Sequence, residues 1–247
     1  MILLVDAGNT RIKWAQLREG GISGHGAALH AAKPVNDVLM QAWAVLPRPE
    51  RIVVANVAGE SMAAKLSAYA REHFKLAPEF VIPTSQAGGV TNGYRNPAQL
   101  GADRWAGMLA ARRRGLGPVC VIGCGTAITL DTLTRDGRHL GGLIAPGIGV
   151  MHRALSQAAT AIVFEPDARV TLYANDTGSA TTSGIVYAVA GCIERAAAQI
   201  RAQQGDETEF LLTGGDAEGL QPQLQGRFTL APHLVLEGLA VLAERQA

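Results

Sequence analysis

Two α/β lobes built on mixed sheets are the fold class this sequence predicts, and three observations lead there. Strand-length apolar runs alternate with segments of helical periodicity in both halves of the 247-residue chain. The plan of the N-terminus, an apolar strand, a small-residue turn and a second strand, returns after Pro118: Val5-Asp6-Ala7-Gly8-Asn9-Thr10 has an echo in Ile122-Gly123-Cys124-Gly125-Thr126. Hydrophobic residues make up 48% of the chain, charged residues only 17%, and 29 positions are glycine, the composition of a compact chain rich in tight turns.

In chain order, residues 2–5 and 12–17 read as a hairpin across Ala7-Gly8-Asn9-Thr10. Residues 39–46 and 62–74 carry helical periodicity on either side of a buried strand at 52–57, and a short strand at Val81-Ile82 ends on Pro83. Asn96 as N-cap and Pro97 in the first helical position open a helix running to Arg114, which Gly115 and Gly117 stop. Beyond a boundary at 115–118, VCVIGCGTAITLDTL is strand, turn and strand. A Gly-rich segment (141–149), a helix (150–157), a polar stretch, a long Ala-rich helix (179–203), a strand (209–213) leading into TGGD, and a last helix (234–245) complete the second half. The expected lobes are residues 1–116 and 117–247.

With 22 basic and 21 acidic side chains the net charge is +1, so no basic excess exists to neutralise a nucleic acid or an anionic membrane. Cys120, Cys124 and Cys192 are too few for a disulfide framework or a four-ligand zinc site, which fits a reducing compartment. Asp6 interrupts the N-terminal apolar run before it reaches the length of a signal peptide or anchor, and the uncharged stretch 115–130 is broken by Gly and Pro, so a cytoplasmic protein is expected. The histidines at 25, 30, 73, 139, 152 and 233 show no metal-ligand spacing, and Trp14, Trp43 and Trp105 are scattered as core residues are.

The turn DAGNT ends a strand on a carboxylate and then offers the backbone amides of Gly8, Asn9 and Thr10 to a phosphate, with Lys13 adding charge; an ordinary Asx-Gly hairpin is the competing reading. Its echo in Gly125-Thr126 favours nucleotide binding, because two phosphate-gripping hairpins facing each other across a cleft suit a nucleotide; neither a P-loop nor a dinucleotide fingerprint is present, which disfavours those two folds. TGGD, with Gly214 and Gly215, lets backbone pass close to a flat ligand such as adenine, or else is a strand-to-helix turn with Asp216 as N-cap. In GADRW, Asp103 is placed to accept a hydroxyl proton and Arg104 to pair with a substrate anion; an ion-pairing helix face is the alternative. Asp131, in an apolar strand, must take hydrogen bonds or sit by a cation or phosphates.

Taken in order, DAGNT, NGY, GADRW, GTAITLD, GGLIAPG and TGGD closely resemble the type III pantothenate kinases over nearly the whole chain. The resemblance implies two ribonuclease H-like lobes around an ATP cleft, and phosphoryl transfer from magnesium-bound ATP to pantothenate, the first step of coenzyme A biosynthesis. It also implies a homodimer and a monovalent cation, potassium or ammonium. On this resemblance the segment from Asp6 to Lys13 is the first phosphate hairpin, with Asp6 organising magnesium, and Thr126 is a phosphate contact on the second. Tyr94, Gly101, Ala102, Asp103 and Arg104 are pantothenate positions with Asp103 the proton acceptor, and Thr177 completes the pocket of the neighbouring subunit. The family's Asp-x-Gly-Thr-Ala begins here with Gly123, which removes the carboxylate that serves the monovalent cation and leaves Asp131 and backbone carbonyls as oxygen ligands. Two other readings stand beside this one: a kinase for another small hydroxy acid, and a catalytically weak relative acting as a regulatory or transcriptional accessory protein.

Overall fold

The computed structural model describes residues 1–30, 34–115, 117–159, 162 and 168–244. They fall into two compact units, residues 1–115 with 233–247, and residues 116–232. In the first, β1 (Ile2–Ala7), β2 (Arg11–Arg18) and β3 (Gly21–Leu29) form an antiparallel meander, and β4 (Arg51–Asn56) and β5 (Glu79–Phe80) add parallel strands in the order β3-β2-β1-β4-β5. Alternation along β1 splits its side chains between two cores. Leu3, Val5 and Ala7 pack with α1 (Val35–Trp43) and α2 (Glu60–Tyr69), while Leu4 packs with Ala102 and Ala106 of α3 (Ala102–Arg113). A two-stranded ribbon, β6 (Gln86–Ala87) and β7 (Val90–Thr91), precedes α3.

The second unit repeats the plan. β8 (Val119–Cys124), β9 (Ala127–Leu133) and β10 (His139–Pro146) form the meander, with β11 (Glu209–Thr213) and β12 (Thr229–Leu230) parallel, in the order β10-β9-β8-β11-β12. Its helices are α4 (Ile148–Ala158), α5 (Thr177–Gln204) and α6 (Ala217–Leu220), and α5 lays Val186, Val189, Ile193 and Ala197 on the face made by Cys120, Ile122, Leu130, Phe210 and Leu212. This strand order, repeated in both units, is the ribonuclease H-like arrangement of two mixed α/β sheets.

Four local expectations are corrected. The last helix, α7 (Leu234–Glu244), belongs with the first unit rather than with the rest of 117–247: Leu236, Leu239, Ala240 and Ala243 join the core of Leu4 and Ala106, and Gly238 lets α7 lie against the Ala106 backbone, where a methyl group would collide. Arg245, placed at the end of that helix, lies outside the described residues. Asn96 caps only a short 3-10 turn at Pro97–Gln99, its side chain accepting the Ala98 amide at 3.3 Å, because Leu100 and Gly101 turn extended before α3 begins. β3 and β10, carrying three and two glycines, are strands that a glycine-poor template overlooks.

Candidate active site

Strand alternation decides what meets at the end of the first sheet. Asp6 shares its face of β1 with Leu4, opposite Lys13 on β2 and beside Ala55 on β4. This is the face α3 covers, and the first turn of α3 carries Asp103. Loss of hydration in this half-buried place, then the negative charge of Asp103, push the Asp6 carboxyl up to about 7, against the pull of the Lys13 ammonium. A carboxyl so destabilised as an anion stands ready for a cation.

Gly101 precedes α3 with no side chain, and a methyl group there would lie 2.7 Å from Asp103 Oδ1. That oxygen accepts the Arg104 amide at 2.8 Å, which fixes the carboxyl at the helix start, while Ala102 is buried beneath it in the sheet-facing core. Arg104 is buried, donates from Nη1 to the Tyr94 hydroxyl at 2.8 Å and lies 5.5 Å from the centre of the Tyr94 ring. The structure thus brings Tyr94, Gly101, Ala102, Asp103 and Arg104 into one constellation with Asp6 and Lys13. Asn92, quoted within NGY but given no role by the sequence, builds the loop: its Oδ1 accepts the Tyr94 amide at 3.0 Å and its Nδ2 donates to the Thr84 carbonyl at 3.2 Å. The Asx turn it forms ahead of Tyr94 was the available signal.

Asn9 and Thr10 are exposed at the first turn, where the Gly8 amide donates to the Arg11 carbonyl at 3.1 Å. His30, which the sequence marks only by its lack of metal-ligand spacing, reaches the same turn with its ring. In the second unit two glycine-bearing segments converge on the backbone of residues 124–126. The Gly147 amide donates to the Thr126 carbonyl at 3.0 Å and the Asp216 amide to the Cys124 carbonyl at 3.0 Å. A methyl group on Gly147 would strike the Gly125 carbonyl oxygen, and one on Gly214 the Cys124 backbone. Thr126 and Gly215 are left exposed on this cradle. Asp216 precedes α6 but makes no side-chain cap.

Asp131 lies deeper in the second sheet, in register with Val121 and Gly142, and accepts from His139 Nε2 at 2.9 Å, both side chains being buried. It therefore takes a hydrogen bond, the first of the two fates open to it. Gly123 pairs with Thr129, whose Oγ1 would stand 2.5 Å from a methyl group on Gly123. Among the described residues no group of three or more His, Cys, Asp or Glu side chains is arranged to hold a metal ion. Thr177 begins α5 behind its cap Asp176, whose Oδ1 accepts the Ser179 amide at 2.8 Å, and it is exposed beside an open depression with Asn175 and Thr181.

Comparison with known proteins agrees in sequence and in fold. The family model described as type III pantothenate kinase matches residues 2–199. Type III pantothenate kinases of Nitrosococcus oceani and Laribacter hongkongensis are each 40% identical to this chain, covering 99% of it and 94% of the relative in the first case and 98% of each in the second. Among solved structures, a Campylobacter jejuni protein assigned to the Baf family of transcriptional activators has a TM-score of 0.63 at 20% identity, covering 99% of this chain and 98% of its own. A glucokinase from an Antarctic psychrotroph has a TM-score of 0.51 at 13% identity with 99% and 98% covered. These two likenesses concern the fold.

Proposed function

This chain belongs to the type III pantothenate kinase family, and on that premise we propose that its first unit carries the chemistry by which the γ-phosphoryl group of ATP passes to the primary hydroxyl of pantothenate, the first step of coenzyme A biosynthesis. The observation that carries this reading is the meeting of Asp6, Lys13 and Asp103 on one sheet face. Phosphoryl transfer needs alignment and charge stabilisation more than covalent chemistry from the protein, with a carboxylate receiving the hydroxyl proton. Asp103, oriented by the Arg104 amide, is that acceptor. Arg104, braced by Tyr94, holds the pantothenate carboxylate, and Gly101 and Ala102 shape the floor under the substrate. Lys13 and the backbone of Gly8, Asn9 and Thr10 take phosphate oxygens; Gly125, Thr126, Gly214 and Gly215 are the second unit's contribution to nucleotide binding.

Magnesium fits the donor set of the first unit, because that ion binds through one or two carboxylates with phosphate oxygens and water, and Asp6 is a carboxyl short of positive charge. When bound, it neutralises developing charge on the phosphates. A monovalent cation does not fit equally well: Gly123 brings no side-chain oxygen, Thr129 fills the space where one would stand, and Asp131 is buried against His139. The reaction as proposed includes no step through such an ion.

Assembly as a homodimer is supported by exposed apolar side chains on the second unit, Leu143, Ile144, Leu155, Tyr173 and Tyr187, in the unit that also exposes Thr177. A cytoplasmic location accords with the reducing state its three free cysteines suggest; among the described residues no helix is long and apolar enough to cross a membrane.

The test is Asp103→Asn in a coupled assay with ATP and pantothenate. Turnover falls ~10²–10⁴-fold, the range for loss of a general base, while pantothenate binding measured by calorimetry persists. A folded variant with near-normal turnover removes Asp103 from this role, and a wild type that consumes no ATP in response to pantothenate removes the activity.

A further inference from the structure

The two hairpins are closed by equivalent backbone bonds. The amide of the residue just past the third strand donates to the carbonyl of the turn threonine: His30 to Thr10 at 3.1 Å in the first unit, Gly147 to Thr126 at 3.0 Å in the second. His30 and Gly147 are thus counterparts. In the second unit the counterpart position presses against the Gly125 carbonyl and admits no side chain. In the first it carries an imidazole, and His30 Nε2 lies 2.8 Å from the Gly8 carbonyl oxygen. A carbonyl only accepts, so Nε2 holds the proton and donates.

We infer that His30 is a positioning residue for the nucleotide phosphates, acting through the Gly8–Asn9 peptide. A trans peptide plane carries its C=O and the next N–H in opposite directions. Holding the Gly8 oxygen on the His30 side therefore aims the Asn9 amide away from His30, toward the exposed side of the turn. No hydrogen bond within the protein engages that amide among the described residues. The backbone bond from His30 to Thr10 fixes the far end of the same turn, so one residue sets both ends of a three-residue loop. Preset amides need no reordering when an anion arrives, which is how a fixed dipole gains over a mobile one. This inference rests on the assignment of the turn 8–10 to the phosphates.

The experiment compares His30→Phe, His30→Ala and His30→Gln with the wild type for both substrates. Losing one hydrogen bond raises KM for ATP ~3–10-fold in the Phe and Ala variants. Their KM for pantothenate and kcat stay within about twofold. Gln, which keeps an Nε2 donor, returns KM for ATP to within about twofold of the wild type. Phe keeps a ring of similar volume, so loss of packing affects Ala more and the thermal midpoints expose it. Wild-type KM for ATP in the Phe variant, equal loss in Gln and Phe, or a matching rise in both KM values overturns the role of His30. Failure of the underlying reading as an ATP-dependent kinase looks different: the wild type itself then shows no saturable dependence on ATP.

Discussion

The turn at Gly8–Thr10 and the turn at Gly125–Thr126 close the same kind of hairpin in two sheets of identical strand order, yet they are held by different means. The first has three residues and is braced by a side chain, the ring of His30 on the Gly8 carbonyl. The second has two and is braced by backbone, with Gly147 and Gly214 packed so closely on residues 124–126 that neither tolerates a Cβ. A side-chain brace spans empty space and is replaceable in principle; a backbone brace has no slack, because the atoms that would have to yield are main chain. The same division runs through the chemistry. Charged side chains, Asp6, Lys13, Asp103 and Arg104, gather in the first unit, whereas around the exposed Thr126 of the second the contacts are main chain on main chain, the amides of Gly125, Gly147 and Asp216 all donating to backbone carbonyls.

The sharpest way to break this comparison is Gly147→Ala. Its φ of −76° suits any residue, so sterics alone oppose the change. The methyl group meets the Gly125 carbonyl and the Thr126 backbone, and relief requires moving the turn or the start of α4. Overpacking costs about 1–3 kcal/mol where side chains can adjust, and here about 3 kcal/mol or more is expected from denaturant unfolding. A loss below about 1 kcal/mol would mean that the second turn is as compliant as the first.

A middle-sized effect tests the side-chain half. The Asp6 carboxyl, ordinarily at 3.8, is pushed up to about 7 in the fold. Between pH 4 and 7 the folded state therefore keeps a proton the unfolded chain has released, and stability falls as pH rises through that window. The penalty is complete above about 7. At ~1.4 kcal/mol for each tenfold change in proton affinity, discounted for the solvent that reaches a half-buried group, this leaves about 2 kcal/mol. Asp6→Asn without nucleotide should be more stable than the wild type by that amount at pH 8 and equal to it near pH 4. A difference independent of pH would show that Asp6 is not strained by its surroundings.

How much of this was legible beforehand follows the same line between side chain and backbone. The hairpins can be read because apolar strands flank small-residue turns, whereas Asp103 with Arg104 alone is an ordinary ion-pairing helix face and gains its role from the family resemblance. The partnership of His30 with Gly8 spans 22 residues and leaves no local trace. Gly147 lies in a segment that the sequence marks as Gly-rich and by family likeness but not as a seal on the turn, since close approach of two backbones is a tertiary fact. The placement of α7 failed for the same reason: only Gly238 on Ala106 and the leucines facing β1 show that the chain returns to its first sheet.

The smallest effect separates glycines that serve the fold from glycines that serve a ligand. Gly125 lies in the turn that Gly147 seals, but a Cβ on Gly125 meets nothing within 4 Å, and no left-handed backbone forbids a side chain there. Gly125→Ala should therefore change unfolding free energy by no more than about 0.5 kcal/mol, as for a surface position without special contacts. If the open side of this turn is where phosphate oxygens approach the backbone, the same methyl group obstructs the ligand, and KM for ATP rises while the thermal midpoint does not. Unchanged KM in a stable variant would show that phosphates do not come close to Gly125. A drop in stability matching that of Gly147→Ala would show instead that the turn is tight on both sides, erasing the difference between the backbone that faces the protein and the backbone that faces the nucleotide.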